Sequence, residues 1–165
     1  MKIAAVLTIS DSAAQGTRAD RGGPAVRTRL EELGWSVPVM EVLPDEVDLI
    51  GARLRELADG GRVGAIFTTG GTGVAKRDVT PEATRTAIER EIPGIAESMR
   101  ARGLEKTPRA ALSRAVAGTR GVVLIINLPG SPKGAVESLD AIVELVPHVL
   151  DLLQGRTEHG SEGQK

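Results

Sequence analysis

The chain alternates between short runs of apolar residues and segments whose apolar residues recur every three or four positions. A short continuous apolar run is typical of a β-strand buried on both faces, as in a parallel sheet covered by helices. These runs predict strands at Ile3–Ile9, Ser36–Val42, Val63–Phe67 and Val122–Leu128.

The segments between these runs have the periodicity of amphipathic helices. The apolar residues that share a helix face are Val26, Leu30 and Leu33; Val47, Ile50, Leu54 and Leu57; and Val136, Leu139, Val143, Val146, Leu150 and Leu153. Pro147 falls inside the last segment, so we expect a kink or a break there. Strands that alternate with helices predict one α/β domain over residues 1–155, with three α/β/α layers and a mostly parallel sheet. The polar residues 156–165 are expected to form a flexible tail.

Composition narrows the class of protein rather than its function. The 165 residues are 41% hydrophobic and 26% charged, with a net charge of −1, which is the balance of an ordinary globular domain. One Trp, one Phe and no Tyr leave almost no side chains for stacking on nucleic-acid bases. The absence of Cys excludes disulfides and thiolate catalysis, and no apolar run is long enough to cross a bilayer. Because the N-terminus lacks a signal-peptide pattern, we expect a cytoplasmic protein without nucleic-acid or membrane partners.

Residues 68–82 are the most informative segment of the chain. They contain Gly70-Gly71-Thr72-Gly73, directly after the third predicted strand, and then Asp78. Glycines let backbone N–H groups approach an anion closely, and a carboxylate is a ligand that Mg²⁺ prefers. The segment lacks the Gly-Lys-Ser/Thr ending of a Walker loop and the third glycine of a dinucleotide fingerprint. Glycine spacing alone therefore leaves open both a nucleotide-phosphate loop and a tight strand-to-helix turn.

A polar loop follows each of the predicted strands. The loops contain Ser10-Asp11-Ser12, Leu43-Pro44-Asp45, Thr69-Gly70-Gly71-Thr72-Gly73 and Pro129-Gly130-Ser131-Pro132-Lys133. If the strands are parallel, all of these loops emerge at the carboxyl edge of one sheet, which is where open α/β sheets bind ligands. The convergence favours the phosphate-binding interpretation of the glycine loop.

Asp45 and Asp78 are the candidate carboxylates for chemistry. Phosphoryl and nucleotidyl transfer need positioning and charge neutralisation, usually through Mg²⁺ held by carboxylates. Each residue also has a structural alternative. Asp45 can instead be the N-cap of the following helix, and Asp78 a turn carboxylate stabilised by a helix dipole. Thr80 is predicted to be the N-cap of a helix that opens at Pro81.

The remaining candidates have equally open alternatives. The loop Ser10–Gly23 is either a mobile surface loop or a wall that supplies Asp20 and an arginine to an anionic ligand. Ser113-Arg114 either donates to an anion or forms a solvated turn. The loop after the fourth strand either presents Ser131 and Lys133 at a helix start or is ordinary turn chemistry.

In this combination and order, the segments resemble the MogA/MoaB family of molybdenum-cofactor biosynthesis proteins. The resemblance extends over residues 3–153. Its motifs are Thr8-Ile9-Ser10-Asp11, Leu43-Pro44-Asp45-Glu46, Thr68-Thr69-Gly70-Gly71-Thr72-Gly73, Arg77-Asp78-Val79-Thr80-Pro81-Glu82-Ala83-Thr84, Leu112-Ser113-Arg114 and Ile126-Asn127-Leu128-Pro129-Gly130-Ser131-Pro132-Lys133.

The resemblance implies an activity and a site. The activity is molybdopterin adenylyltransferase, the Mg²⁺-dependent transfer of AMP from ATP to the phosphate of molybdopterin with release of pyrophosphate. Asp45 and Asp78 match the essential carboxylates of the family and would hold the metal. The nucleotide-binding residues implied are Ser10, Asp11, Gly70, Gly71, Thr72 and Gly73, and the molybdopterin-binding residues are Ser113, Gly130, Ser131 and Lys133. The family also implies a homotrimer or hexamer.

Two features qualify this expectation. MoaB-like members keep much of the pattern, and a non-catalytic molybdopterin-binding protein of the same fold is the alternative function. Many relatives also have an Asp at the start of the third strand, where this chain has Val63-Gly64. If that Asp serves the metal or nucleotide site elsewhere, its role here is vacant or moved.

Overall fold

The computed structural model describes residues 2–156. They form one six-stranded sheet in the order β2-β1-β3-β6-β5-β4. The strands are β1 Ile3–Ile9, β2 Ser36–Leu43, β3 Ala65–Thr69, β4 Arg90–Glu91, β5 Ala117–Arg120 and β6 Val123–Leu128. The helices are α1 Asp11–Ala14, α2 Gly22–Glu32, α3 Val47–Asp59, α4 Thr80–Ala87, α5 Pro93–Leu104, α6 Pro132–Ile142 and α7 Leu145–Leu153, with a 3-10 helix at Pro108–Leu112. None of the helices in this part of the chain has the length and apolarity that crossing a membrane requires.

The strands that precede the candidate loops are parallel. Strands β2, β1, β3 and β6 pair in parallel, whereas β5 and β4 add to the edge in antiparallel orientation. The predicted three-layer α/β fold with a mostly parallel sheet is therefore confirmed. The four loops named above leave the same edge of the sheet, because parallel strands all end on one side.

Two apolar layers cover the sheet, one on each face. In β3, Ile66 packs with Ile50 and Leu54 of α3, while its neighbour Phe67 belongs to the opposite layer. Successive side chains of a strand point to opposite faces, so one apolar run serves both layers. The ring of Phe67 meets Trp35 edge-on, with ring centroids 6.3 Å apart. Full burial of each such side chain contributes about 1.5–3 kcal/mol.

The structure corrects several predicted boundaries. Strand β3 begins at Ala65, two residues later than expected, and the short strands β4 and β5 were not predicted. The long C-terminal helical segment does break, but between α6 and α7 at Val143 and Glu144 rather than at Pro147. Pro147 lies in the first turn of α7. Backbone N–H groups in the first turn have no carbonyl partner within the helix, so proline, which lacks an N–H, costs no hydrogen bond there. Its ring would clash with the carbonyl of Val143 in a continuous helix, which explains why the break comes before it.

The prediction for Thr80 is wrong. Thr80 is the first residue of α4 and is fully buried, and the N-cap position belongs to Val79, which makes no side-chain capping bond. The Thr80 hydroxyl instead donates to the carbonyl of Gly70 over 2.9 Å. Local capping rules predict that this hydroxyl bonds to the start of its own helix, but it bonds to the glycine loop. The predicted tail 156–165 lies outside the described residues except for Arg156.

Candidate active site

A cavity of about 480 Å³ opens at the carboxyl edge of the sheet. We call it the Ser10 cavity. Its lining includes Ser10, Asp45, Gly70, Gly71, Asp78, Gly130 and Ser131, which come from the loops after β1, β2, β3 and β6. The convergence of these loops, predicted from the order of strands and polar segments, is thus present in the structure.

A second cavity, of about 510 Å³, lies beside the first, and we call it the Ser113 cavity. Both cavities are lined by Gly71, Asp78, Gly130 and Ser131, so they meet at these residues. The Ser113 cavity continues over Thr72, Gly73 and Ser113 to a wall that includes Met99, Arg100, Arg109 and Leu112. This wall comes from α5 and the 3-10 helix, and it combines apolar surface with cations.

The glycine loop adopts a conformation that other residues resist. Gly70 and Gly71 have φ values of +102° and +68°, in the region that disfavours side chains. A Cβ on Gly70 would lie 2.3 Å from the carbonyl oxygen of Ile9, and a Cβ on Gly71 would lie 2.2 Å from Thr80 Oγ1. The loop is therefore packed against β1 and α4 with no room for a side chain.

Arg114 fixes this loop from the other side. Its Nε donates to the carbonyl of Gly73 over 2.7 Å and its Nη2 to the carbonyl of Asp78 over 2.7 Å. Its Nη1 pairs with the carboxylate of Glu82 in α4, which lowers the pKa of that carboxyl. The interpretation as a solvated turn does not describe Arg114, because its guanidinium nitrogens donate to groups of the chain itself. The side chain holds the loop backbone in place.

Asp45 is not a helix cap. The N-cap residue of α3 is Glu46, and it makes no side-chain capping bond. Asp45 Oδ2 instead accepts a hydrogen bond of 2.9 Å from the backbone N–H of Asp11, and the N–H of Asp45 donates to Asp11 Oδ1 over 3.0 Å. The two residues thus exchange bonds between the loops after β1 and β2, which leaves Asp45 Oδ1 directed toward Gly71, where a Cβ would lie 3.0 Å from it.

Electrostatics around Asp45 favour a nearby cation. Burial raises the pKa of Asp45 above its ordinary value, and the negative charges of Asp11 and Asp78 raise it further. The hydrogen bond from the backbone of Asp11 and the positive charge of Arg77 act in the opposite direction and lower this pKa. A half-buried carboxylate that is repelled by another carboxylate is stabilised when a metal ion lies between the two.

Asp78 is held by its own loop. Its Oδ2 accepts a hydrogen bond of 3.0 Å from the N–H of Ala75, and its N–H donates to the carbonyl of Ala75 over 2.9 Å.

Asp45 and Asp78 both line the Ser10 cavity, and each uses one carboxylate oxygen to accept a backbone hydrogen bond. Mg²⁺ is usually bound by one or two carboxylates together with substrate phosphates and water, so this pair fits a magnesium ion that arrives with a nucleotide. Within residues 2–156 no cluster of three or more His, Asp or Glu forms a self-sufficient metal site.

Helix α6 begins where the two cavities meet. The hydroxyl of Ser131 accepts a hydrogen bond of 3.1 Å from the N–H of Gly134, and Pro132 occupies the first turn. A Cβ on Gly134 would lie 2.6 Å from Ser131 Oγ, so this cap is tightly packed. Lys133 lines neither cavity and is 87% exposed, with its Nζ 4.0 Å from Glu137 Oε1. Asp11 lines neither cavity either.

The structure adds residues that sequence reasoning missed. Arg100 and Arg109 line the Ser113 cavity because α5 and the 3-10 helix fold over it, and no motif pointed to them. By contrast, the sequence already offered the loop Ser10–Gly23 as a wall that supplies an arginine, and both Arg18 and Arg21 line the Ser10 cavity. Asp20 lines this cavity too, and its two oxygens accept from Thr8 Oγ1 at 2.8 Å and from the N–H of Gly23 at 3.0 Å.

The buried Asn127 ties the base of the site together. Its Nδ2 donates to the hydroxyls of Thr68 and Thr84 over 3.0 Å and 2.8 Å, and its Oδ1 accepts from the N–H of Val116 over 3.1 Å. These bonds join β6, β3 and α4 directly beneath the glycine loop. A buried amide on a strand within an apolar run was the signal for such an anchor.

A protein-family model described as "probable molybdopterin binding domain" matches residues 5–148. The chain belongs to this molybdopterin-binding domain family. The resemblance inferred from the motifs is thereby confirmed.

Several relatives of this domain have names that refer to molybdopterin or to the molybdenum cofactor. The chain is 42% identical over 153 residues to the molybdopterin adenylyltransferase of Helicobacter pylori, covering 91% of this chain and 86% of that protein. A crystal structure of the molybdopterin biosynthesis enzyme MoaB from Thermus thermophilus is 51% identical, with a TM-score of 0.88 and coverage of 94% of this chain and 98% of that one. The chain is also 42% identical over 149 residues to the molybdenum cofactor synthesis protein cinnamon of Drosophila melanogaster. That match covers 90% of this chain but only 25% of the fly protein.

Gly64, where many relatives have an Asp, lies far from the candidate site of this molybdopterin-binding domain. Gly64 precedes β3, where its N–H bonds to the carbonyl of Ile3 over 2.9 Å and its carbonyl accepts from the N–H of Leu124 over 3.0 Å. This is the amino end of the parallel strands, whereas both cavities lie at the carboxyl end. Strand β3 spans roughly 17 Å between the two edges. An Asp at Gly64 would therefore be too remote to serve the site.

Proposed function

We propose that this chain is a molybdopterin adenylyltransferase. It would transfer AMP from ATP to the terminal phosphate of molybdopterin, forming a new phosphoanhydride bond and releasing pyrophosphate. The observation that carries the proposal is the pair of adjoining cavities that share Asp78, Gly71, Gly130 and Ser131. Two substrates that exchange a phosphorus group need separate binding volumes with one common boundary.

The two cavities differ in chemistry, and this difference supports a separate substrate for each. The Ser10 cavity has the glycine loop, Ser10 and two arginines, which suits a nucleoside triphosphate. The Ser113 cavity has the apolar side chains Met99 and Leu112 beside polar groups, which suits a flat pterin ring system with a phosphate. Within the pterin site we propose roles for Ser113, Gly130 and Ser131. Lys133 lines neither cavity, and we propose that this exposed cation at the start of α6 attracts the phosphate of molybdopterin.

The chain's own groups would perform three tasks in the transfer. Backbone N–H groups of Gly71–Gly73 and the start of α6 would orient the phosphates and the attacking phosphate oxygen. Asp45 and Asp78 would hold Mg²⁺, which when bound neutralises charge on the phosphates. Arg18 and Arg21 are exposed cations on the wall of the Ser10 cavity, where they would attract the leaving pyrophosphate.

A direct assay tests the proposal. The purified chain is incubated with ATP, Mg²⁺ and molybdopterin, and pyrophosphate and adenylylated molybdopterin are measured together. We expect equal amounts of the two products and no pyrophosphate when molybdopterin is omitted. Binding of molybdopterin without pyrophosphate release would reject the enzyme and favour the alternative, a non-catalytic MoaB-like carrier.

The family resemblance also supports proposals about the state of the protein. We propose a cytoplasmic protein that assembles as a homotrimer or hexamer, with small-molecule substrates and no nucleic-acid partner. Analytical ultracentrifugation at micromolar concentration tests the assembly, and a monomer there would contradict it.

A further inference from the structure

Arg77 links the neighbourhoods of the two candidate metal ligands. It directly precedes Asp78, and its guanidinium binds the carboxylate of Asp11 through two bonds, Nε to Oδ2 at 2.9 Å and Nη2 to Oδ1 at 3.0 Å. Nη2 also donates over 3.2 Å to Oε1 of Glu46, which directly follows Asp45. The guanidinium therefore extends from the loop of Asp78 to the loops of both Asp11 and Asp45.

Asp11 completes the connection. The carboxylate of Asp11 is bound by Arg77. In addition, Asp11 Oδ1 accepts from the N–H of Asp45, and the N–H of Asp11 donates to Asp45 Oδ2. Strand order explains the intermediate position of Asp11, because β1 lies between β2 and β3. Asp45 follows β2 and Asp78 follows β3, so the strands that carry them are not adjacent, and Asp11 at the end of β1 lies between them in strand order.

The stability of the fold does not account for this arrangement. The side chain of Arg77 is 58% exposed and that of Asp11 is 31% exposed. Ion pairs this open to solvent contribute little to folding. The geometry is nevertheless well defined, since a planar guanidinium bound to a carboxylate by two bonds fixes orientation as well as distance. Meanwhile the charges of Asp45 and Asp78 repel each other and favour separation of their loops.

We propose that Arg77 and Asp11 are positioning residues that hold Asp45 and Asp78 at the separation required by one shared divalent cation. Neither residue lines the Ser10 cavity or the Ser113 cavity, so both act through the carboxylates rather than on the substrates. The inference rests on the proposed function, because the divalent cation and the nucleotide are those of the proposed adenylyl transfer.

The test measures metal affinity without turnover. Mn²⁺ replaces Mg²⁺ and is titrated by electron paramagnetic resonance in the presence of α,β-methylene ATP, which cannot transfer its adenylyl group. We expect Arg77→Gln to weaken Mn²⁺ binding by about 10- to 100-fold, the usual effect of losing a residue that orients a metal ligand. The melting temperature should change by only a few degrees.

Arg85→Gln is the matched control. Arg85 is also an exposed arginine, 54% accessible, and it pairs with Glu91 at 3.4 Å, but it lines neither cavity. The control should bind Mn²⁺ as the wild type does. If Arg77→Gln and Arg85→Gln bind Mn²⁺ equally well, Arg77 is a surface ion pair only and the proposal is overturned.

Asp11→Asn provides a second, independent variant. Its amide oxygen can still accept from the N–H of Asp45, but the charge that holds Arg77 is gone. Because the two residues act through each other, the double variant should lose no more Mn²⁺ affinity than the more severely affected single variant. Losses that add fully would overturn the coupling.

The outcome also separates this inference from the proposed function. A wild-type chain that binds Mn²⁺ with the analogue but releases no pyrophosphate in the activity assay would reject the enzyme and leave the positioning role supported or refuted by the variants. A wild-type chain that binds no Mn²⁺ would overturn both.

Discussion

Arg114 donates a hydrogen bond of 2.7 Å to the backbone carbonyl of Asp78, so a side chain that precedes β5 fixes a proposed metal ligand in the loop after β3. The same guanidinium reaches the carbonyl of Gly73, near the other end of the loop. The position of Asp78 is therefore set by a contact between residues 36 positions apart in sequence. Carbonyl bonds from a charged donor are stronger than those between neutral groups.

Arg114→Lys should loosen the glycine loop, because an ammonium group cannot span two carbonyls and Glu82 as a planar fork does. We expect a loss of about 1 kcal/mol in the free energy of unfolding, since the side chain is partly exposed. Adenylyl transfer should fall about tenfold or more through misplacement of Asp78. Hydrogen exchange of residues 71–78 measures the loosening directly. Unchanged protection of these amides would contradict the role given to Arg114.

Gly71→Ala and Gly61→Ala separate steric clash from backbone strain. The two glycines have nearly the same φ, +68° and +69°, but a Cβ on Gly61 meets nothing within 4 Å. Gly61→Ala should therefore show only the cost of a positive φ, about 1–2 kcal/mol. Gly71→Ala should lose about 1–3 kcal/mol more, because its methyl group enters the space of Thr80 Oγ1. Chemical denaturation measures both, and equal losses would show that the loop yields easily.

Asp45→Asn should separate activity from stability. Burial raises the pKa of Asp45, so its ionised form is a cost to the fold at neutral pH, and the amide removes that cost. We expect a slightly higher melting temperature at pH 7 together with a loss of adenylyl transfer of roughly a hundredfold or more, since the charge that holds the metal is gone. An Asn variant with full activity would remove Asp45 from the proposed metal site.

The pH dependence supplies the control for this prediction. A carboxyl whose pKa is raised in the folded state contributes stability below its unfolded pKa, and this contribution is lost as pH rises through the folded pKa. The advantage of Asp45→Asn should therefore shrink as pH falls through the raised folded-state pKa, and it should be gone below the ordinary value of 3.8. Asp45→Ala should instead lose stability at pH 7, by about 1 kcal/mol, because the N–H of Asp11 loses its acceptor.

Asp78→Asn should leave the fold intact and abolish most activity. The amide oxygen can still accept from the N–H of Ala75, so the loop keeps its internal bond. Adenylyl transfer should fall by roughly a hundredfold or more at saturating Mg²⁺, because a neutral ligand binds the cation poorly. Pyrophosphate release measures the loss. Near-normal turnover would reduce Asp78 to the turn carboxylate that sequence spacing also allowed.

Local pattern was sufficient for the layers of the fold. Apolar runs such as Ile3–Ile9 must be covered on both faces, and this requirement alone led to a parallel sheet between helices. Strand β5 escaped prediction because Ala-Gly-Thr-Arg has little β-propensity, and it is held by pairing with β6 and β4. Weak segments of this kind are decided by their neighbours.

The sequence by itself determined which polar residues follow each strand, because the position of a polar loop after an apolar run is a local property. The alternation of strands with helices then predicted parallel strands and one common carboxyl edge. The sequence placed Asp45 and Asp78 at one edge and marked the glycine loop between them. Only the tertiary structure decided what each side chain does there. Thr80 was expected to cap a helix and Asp45 had capping as its structural alternative. Thr80 instead bonds to Gly70, 10 positions away, and Asp45 to Asp11, 34 positions away. A polar side chain can form several hydrogen bonds of similar energy with groups near it in sequence. Tertiary packing decides which bond forms, because it brings other segments of the chain within reach.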